Sequence, residues 1–161
     1  MIWLIADTHF GHTKLCENWQ RPFDYEERII KNWNNQVKYD DVVIILGDIS
    51  WSGNLDVFQK LKGRKILVRG NHDKKGIDAY LNHFDFACDR IAMRYMGHSI
   101  VFSHKPLDEF KEDLNIFGHL HNFHPYELTK GQFCISLEDM GYTVFSLPSI
   151  INKAVKKWGI K

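Results

Sequence analysis

Val42-Val43-Ile44-Ile45-Leu46-Gly47-Asp48 is the stretch that decides the fold. Five apolar residues rich in Val and Ile stop abruptly at a Gly-Asp pair, the pattern of a short buried strand closed by a turn. Because no polar residue alternates within the run, the strand is expected to be covered on both faces. Four more runs of this kind flank it. Ile2 to Ala6 leads into Asp7-Thr8-His9, and Ile66 to Val68 leads into Arg69-Gly70-Asn71-His72-Asp73. Ile100 to Phe102 leads into Ser103-His104, and Leu114 to Phe117 leads into Gly118-His119-Leu120-His121.

Helices are expected between these strands. Tyr25, Ile29, Trp33 and Val37 recur every four positions and form one apolar stripe. Asp24 precedes them as an N-cap, with Glu27 three residues on as in a capping box. Leu55, Phe58 and Leu61 predict a shorter helix ending at Gly63. Pro148 to Trp158 predicts a last helix with proline in its first turn. Ile91 to Tyr95 and Ser99 to Phe102 flank Met96-Gly97-His98 as a hairpin. Phe133 to Leu137 and Tyr142 to Phe145 flank a turn near Asp139-Met140-Gly141. Alternating helix and strand gives an α/β fold with ligands at the carboxyl ends of the strands. One domain spans 1–161, without repeat or linker.

Composition narrows the function. The net charge of +1 speaks against a broadly basic face for nucleic acid. No stretch nears the roughly 20 apolar residues of a membrane span, and the apolar N-terminus is too short for a signal peptide. Cys16, Cys88 and Cys134 are far apart and odd in number, as in reduced thiols of a cytoplasmic protein.

The five strand ends gather Asp7, His9, Asp48, Asn71, His72, His104, His119 and His121. Imidazole, carboxylate and amide oxygen suit borderline or hard divalent ions, and no cysteine joins them as in a structural zinc site. Leaving out His72, seven residues suffice for two ions with positions open for water and substrate. A carboxylate can bridge such ions ~3.5–4 Å apart. The glycine before Asn71 lets the backbone turn sharply. His119 and His121, two apart in an extended segment, would point to one face.

Alone, Asp-x-His or Gly-Asp is an ordinary turn sequence. In order, Asp7-x-His9, Gly47-Asp48, Gly70-Asn71-His72-Asp73, His104 and Gly118-His119-x-His121 resemble the five motifs of the calcineurin-like metallophosphoesterase superfamily. Asp7-Thr8-His9-Phe10-Gly11-His12 and Arg21-Pro22-Phe23 are similar to small single-domain bacterial and phage-type members. The resemblance implies a four-layer αββα sandwich of two mixed sheets with metals at one edge. Carried over by residue, Asp7, His9, Asp48 and His121 would hold one ion. Asp48, Asn71, His104 and His119 would hold the other, and His72 would sit beside the phosphate.

Water shared by two cations ionises readily and would attack phosphorus opposite the leaving oxygen. His72 is the general-acid candidate, with Asp73 as its orienting neighbour. His12 and Arg21, shortly after the first motif, are candidates for contact with the substrate. The ions would be manganese first, with iron, nickel, cobalt or zinc also fitting. The partner would be a small phosphodiester or phosphomonoester, a nucleotide among the candidates. A nuclease would require a basic groove or aromatic platform for a long strand; the basic Lys153, Lys156, Lys157 and Lys161 tail reads as a solvated face. A non-catalytic scaffold would be expected to lack a ligand, and none is missing. His83, His98 and His124 fall outside the motifs, and Trp19, Trp33, Trp51 and Trp158 read as packing residues. Trp51 could border the cleft.

Overall fold

The computed structural model describes residues 1–18, 20–122 and 127–160; Trp19, His124 and Lys161 lie outside them. The apolar runs are strands, as their composition predicts: β1 (Ile2–Ile5), β2 (Val42–Ile45), β3 (Arg64–Val68), β6 (His98–Phe102) and β7 (Leu114–Phe117). Phe86–Cys88 forms β4, Ile91–Tyr95 β5, Gln132–Cys134 β8 and Phe145–Ser146 β9. The helices are α1 (Lys14–Asn18), α2 (Tyr25–Gln36), α3 (Ile77–Tyr80) and α4 (Leu147–Trp158).

Two mixed sheets result, ordered β4-β3-β2-β1-β9 and β5-β6-β7-β8. In the first, only β9 runs antiparallel to its neighbour; in the second, only the β5–β6 hairpin is antiparallel. Period-two alternation divides β1 and β2 between two cores. Ile5, Val43 and Ile45 face α2 with Leu67, meeting Tyr25, Ile29 and Trp33. Leu4 and Ile44 face the second sheet, meeting Ile100, Phe102, Leu114 and Ile116, while α4 adds Ile150, Ile151 and Ala154. Each large side chain so buried contributes about 1.5–3 kcal/mol before entropy is counted. The architecture is therefore α/β, two mixed sheets stacked face to face and flanked by helices.

Some local expectations need correction. The stripe on α2 is buried as expected, but Asp24 makes no capping bond to the helix; its carboxylate takes Arg28 Nε at 2.9 Å instead. Glu27 closes no capping box, and the neighbouring Glu26 accepts the N–H of Gly11 at 2.8 Å. Leu55, Phe58 and Leu61 are buried, yet the element between them is a five-residue 3₁₀ turn, Asp56–Lys60. The segments either side of Asp139 enter different sheets, since β8 pairs with β7 and β9 with β1. The other turn forms as Met96-Gly97, both at positive φ, with Tyr95 opposite His98.

Candidate metal centre

The site forms where the two sheets present strand ends on one side. Past β1 and β2 the chain stays paired: Asp7 N donates to Gly47 O, His9 N to Asp48 O and Phe10 N to Ile49 O. The loops after β6 and β7 are tied by Gly118 N to His104 O at 3.0 Å. Two ligand groups lie within this frame: Asp7, His9 and His121, and Asp48, His104 and His119, with the potential ligand atoms of each within 4.8 Å of one another. Asp48 Oδ2 stands between the groups, 3.7 Å from His9 Nε2 and 3.4 Å from His104 Nε2. Asn71 joins the second, its Oδ1 3.0 Å from His104 Nε2. All seven residues named as ligands are brought together.

The backbone is strained to bring this about. Among the described residues, eight that are not glycine have positive φ, and five of these are Asp7, His9, Asp48, His119 and His121. Such conformations cost about 1–3 kcal/mol each and persist where the surroundings over-determine them, typically at functional sites. This overturns the alternation argument for His119 and His121. Neither is in a strand; left-handed turns deliver them, and they enter different groups. Gly70 also plays another part than expected. Its φ is not positive, but a Cβ there would lie 2.1 Å from Asp48 Oδ1, so glycine is required by close approach. At Gly118 a Cβ would lie 2.5 Å from Asp7 Oδ2.

Protonation fits a cation. His104 Nδ1 donates to Leu46 O at 2.9 Å, so Nε2 of the neutral ring carries a lone pair. Nε2 faces Asn71 Oδ1, Asp48 Oδ2 and, at 3.1 Å, His119 Nδ1, acceptors that favour a proton or a metal ion on that nitrogen. Electron-rich atoms converging this closely need a positive charge among them. Burial opposes charging His104, yet Asp48 and Asp7 outweigh it and raise its pKa. Burial drives His9 down to about 3 and His119 to about 4, leaving both neutral as ligands must be. Asp48, although buried, is held at about 2 by His104 and the His72 backbone N–H. Burial pushes Asp7 up to about 6, and its Oδ1 has no hydrogen-bond partner. A divalent ion would satisfy that orphaned oxygen, so the donor set fits one.

Arg21 corrects its expected role as a substrate contact. Its side chain is fully buried, with Nη2 2.7 Å from Glu138 Oε1 and 2.9 Å from Asp7 O. His121 Nδ1 lies near both, 3.0 Å from Glu138 Oε1 and 3.1 Å from Arg21 Nη2. Since the carboxylate can only accept, we place the ring proton on Nδ1, leaving the lone pair on Nε2. Burial would raise the Glu138 carboxyl, but His121 and Arg21 prevail and hold it at about 2. Glu138 was missed in the sequence. It follows the apolar run Phe133 to Ile135, the same strand-then-polar signal that marks the other five clusters.

His72 is exposed, with Nε2 3.9 Å from Asp48 Oδ2 and its backbone N donating to Asp48 Oδ1 at 2.8 Å. Asp73 does not orient it: the Asp73 carboxylate accepts from the backbone N of Asp48, Ile49 and Gly70. Adjacency in a tight turn sends consecutive side chains apart. His12 stacks on Trp51, ring centroids 3.8 Å apart and planes 6° from parallel, and burial lowers its pKa. Trp51 is half exposed. Trp33 and Trp158 do pack, their Nε1 atoms donating to Lys62 O and Gln132 O.

Comparison with known proteins gives the family and the fold. The calcineurin-like phosphoesterase family matches residues 1–158. An uncharacterised protein of Methanocaldococcus jannaschii is 31% identical over 173 residues, covering 97% of this chain and 92% of its own. A protein of unknown function from Aquifex aeolicus superposes with a TM-score of 0.80 at 28% identity, covering 95% of this chain and 98% of the other. A structure described as a novel archaeal phosphodiesterase shares the fold at 17% identity and a TM-score of 0.51, covering 92% and 94% of the two chains. With that match over residues 1–158, the chain belongs to the calcineurin-like phosphoesterase family, whose members bind divalent metals, and it carries two groups of residues that could hold them.

Proposed function

We propose that this chain is a hydrolase that cleaves a small phosphate ester at a centre of two divalent ions, manganese first among them. The observation that carries the reading is Asp48 Oδ2, set 3.7 and 3.4 Å from imidazole nitrogens of two separate ligand groups. Asp7, His9, Asp48 and His121 would hold one ion, and Asp48, Asn71, His104 and His119 the other. When bound, such ions generate a nucleophile from water at neutral pH and offset charge on the phosphoryl oxygens.

The chain supplies the rest. Asp48 stays ionised because His104 and a backbone N–H favour its charge over burial. His72 serves as general acid, passing its proton to the leaving oxygen as the P–O bond breaks, and its exposure lets solvent restore that proton. Three free cysteines fit a reducing compartment, and we place the protein in the cytoplasm. Among the described residues, no helix is long and apolar enough to cross a membrane.

A chromogenic phosphodiester and monoester, assayed with manganese and again after chelation, test this. Hydrolysis that vanishes with chelator and returns with metal supports it; no turnover of any ester with both ions bound overturns it. His72→Asn should keep metal affinity and lose about 10²–10⁴-fold in rate, most for poor leaving groups. Wild-type rates in that variant would remove His72 from its role.

A further inference from the structure

Trp51 is unusual in its position. A half-exposed indole borders the ligand groups, follows directly on the β2 loop and touches both His12 and His72. His12 covers it by parallel stacking at 3.8 Å, which fixes the plane of the ring from behind. His72 lies at its other margin, with centroids 5.0 Å apart and planes tilted by 48°. A cavity of about 280 Å³ opens there, lined by Trp51, His72, Leu55, Tyr80, Ser52 and Lys74 but not by His12. Trp51 thus both stacks on His12 and lines this cavity.

Resting on the hydrolase reading, we propose that Trp51, backed by His12, is the platform on which a nucleobase of the leaving group stacks. The direction of the chemistry selects this side of the site. A general acid must touch the oxygen it protonates, so the leaving group departs on the face where His72 stands. From there the cavity walled by Trp51, Leu55 and Tyr80 is the next space. Its volume sits just under the ~300–1,000 Å³ of pockets for drug-sized ligands, enough for one ring system and too little for a strand of bases. A flat face set parallel against a second ring matches the geometry by which proteins bind bases. Leu55 and Tyr80 supply apolar walls, and Ser52 and Lys74 supply polar groups.

Adenosine 5′-monophosphate and ribose 5-phosphate test the platform, because they share the reacting phosphate and leaving oxygen and differ in the base. Wild type should favour the adenosine ester in kcat/KM, and Trp51→Leu should shrink that preference about tenfold. Trp51→Phe should keep most of it. Taking the ratio of the two esters cancels any general loss of activity in the variants. A wild-type preference of one, or a preference untouched by Trp51→Leu, overturns the platform and leaves phosphate-ester hydrolysis standing. If neither ester turns over, saturation-transfer NMR with adenosine alone on chelated protein decides. Binding in wild type that Trp51→Leu abolishes upholds the platform, and no binding overturns it; the hydrolase reading is decided separately by the chromogenic esters.

Discussion

Asp48 and His104 are held by main chain, His121 by side chains. Leu46 O orients His104, and the His72 N–H holds Asp48 Oδ1. The Asp73 carboxylate draws the backbone of residues 48, 49 and 70 together. Across the site, His121 takes its orientation from Glu138, which is paired with Arg21, and Arg21 in turn reaches the carbonyls of Asp7 and Thr8. These residues are 117 positions apart in Arg21 and Glu138. Main-chain anchors form once the strands have paired. Side-chain anchors need remote residues of the right type, so one group can be adjusted by mutation with little effect on the other.

The comparison breaks most completely at Asp48, whose Oδ2 stands between the two groups. Asp48→Ala should abolish tight binding of both ions in calorimetric titration with manganese. Removing several kcal/mol of charge stabilisation should lower turnover by about a thousandfold or more. Two unchanged binding events would show that the groups are independent of this carboxylate. Arg21→Ala is expected next, since it leaves Glu138 buried without its cation. Denaturant unfolding should report a loss of about 3–5 kcal/mol, and a loss under 1 kcal/mol would show that the pair can relax into water.

Glu138→Gln sharpens the contrast most finely. It keeps the shape and weakens the hold on His121, so affinity should fall about 10–100-fold at one of two ion sites only. An equal fall at both would end the distinction. The same variant exposes a pH dependence. The Glu138 carboxyl is depressed in the fold from 4.5 to about 2, so the unfolded chain binds the proton first as pH falls. Its contribution is present above about pH 4.5 and is lost as pH drops toward 2. The stability difference between wild type and Glu138→Gln, followed by thermal unfolding, should therefore shrink across that range.

What could be read in advance follows the same division. Uninterrupted Val and Ile runs are visible in sequence because a strand buried on both faces has no room for polar alternation. The Tyr25-Ile29-Trp33 stripe was visible because one helical face meets one core. The candidate ligands are visible because each cluster follows such a run directly. The burial of Arg21 is hidden in the sequence because it depends on a contact with Glu138, 117 positions away, made only by the fold. The separation of β8 from β9 was hidden for a related reason, since both pair with strands far away in the chain. His119 and His121 enter the two candidate groups by left-handed turns, to which alternation does not apply.

Those left-handed turns have a consequence for how such a centre can change. Aspartate, histidine and asparagine are several-fold enriched among the non-glycine residues that accept positive φ. The residue types that grip ions are therefore also those that tolerate the corners at Asp7, His9, Asp48, His119 and His121. Grip and corner are inherited together. A glutamate or a β-branched residue introduced at one of these corners would meet a conformational penalty before any question of coordination arose.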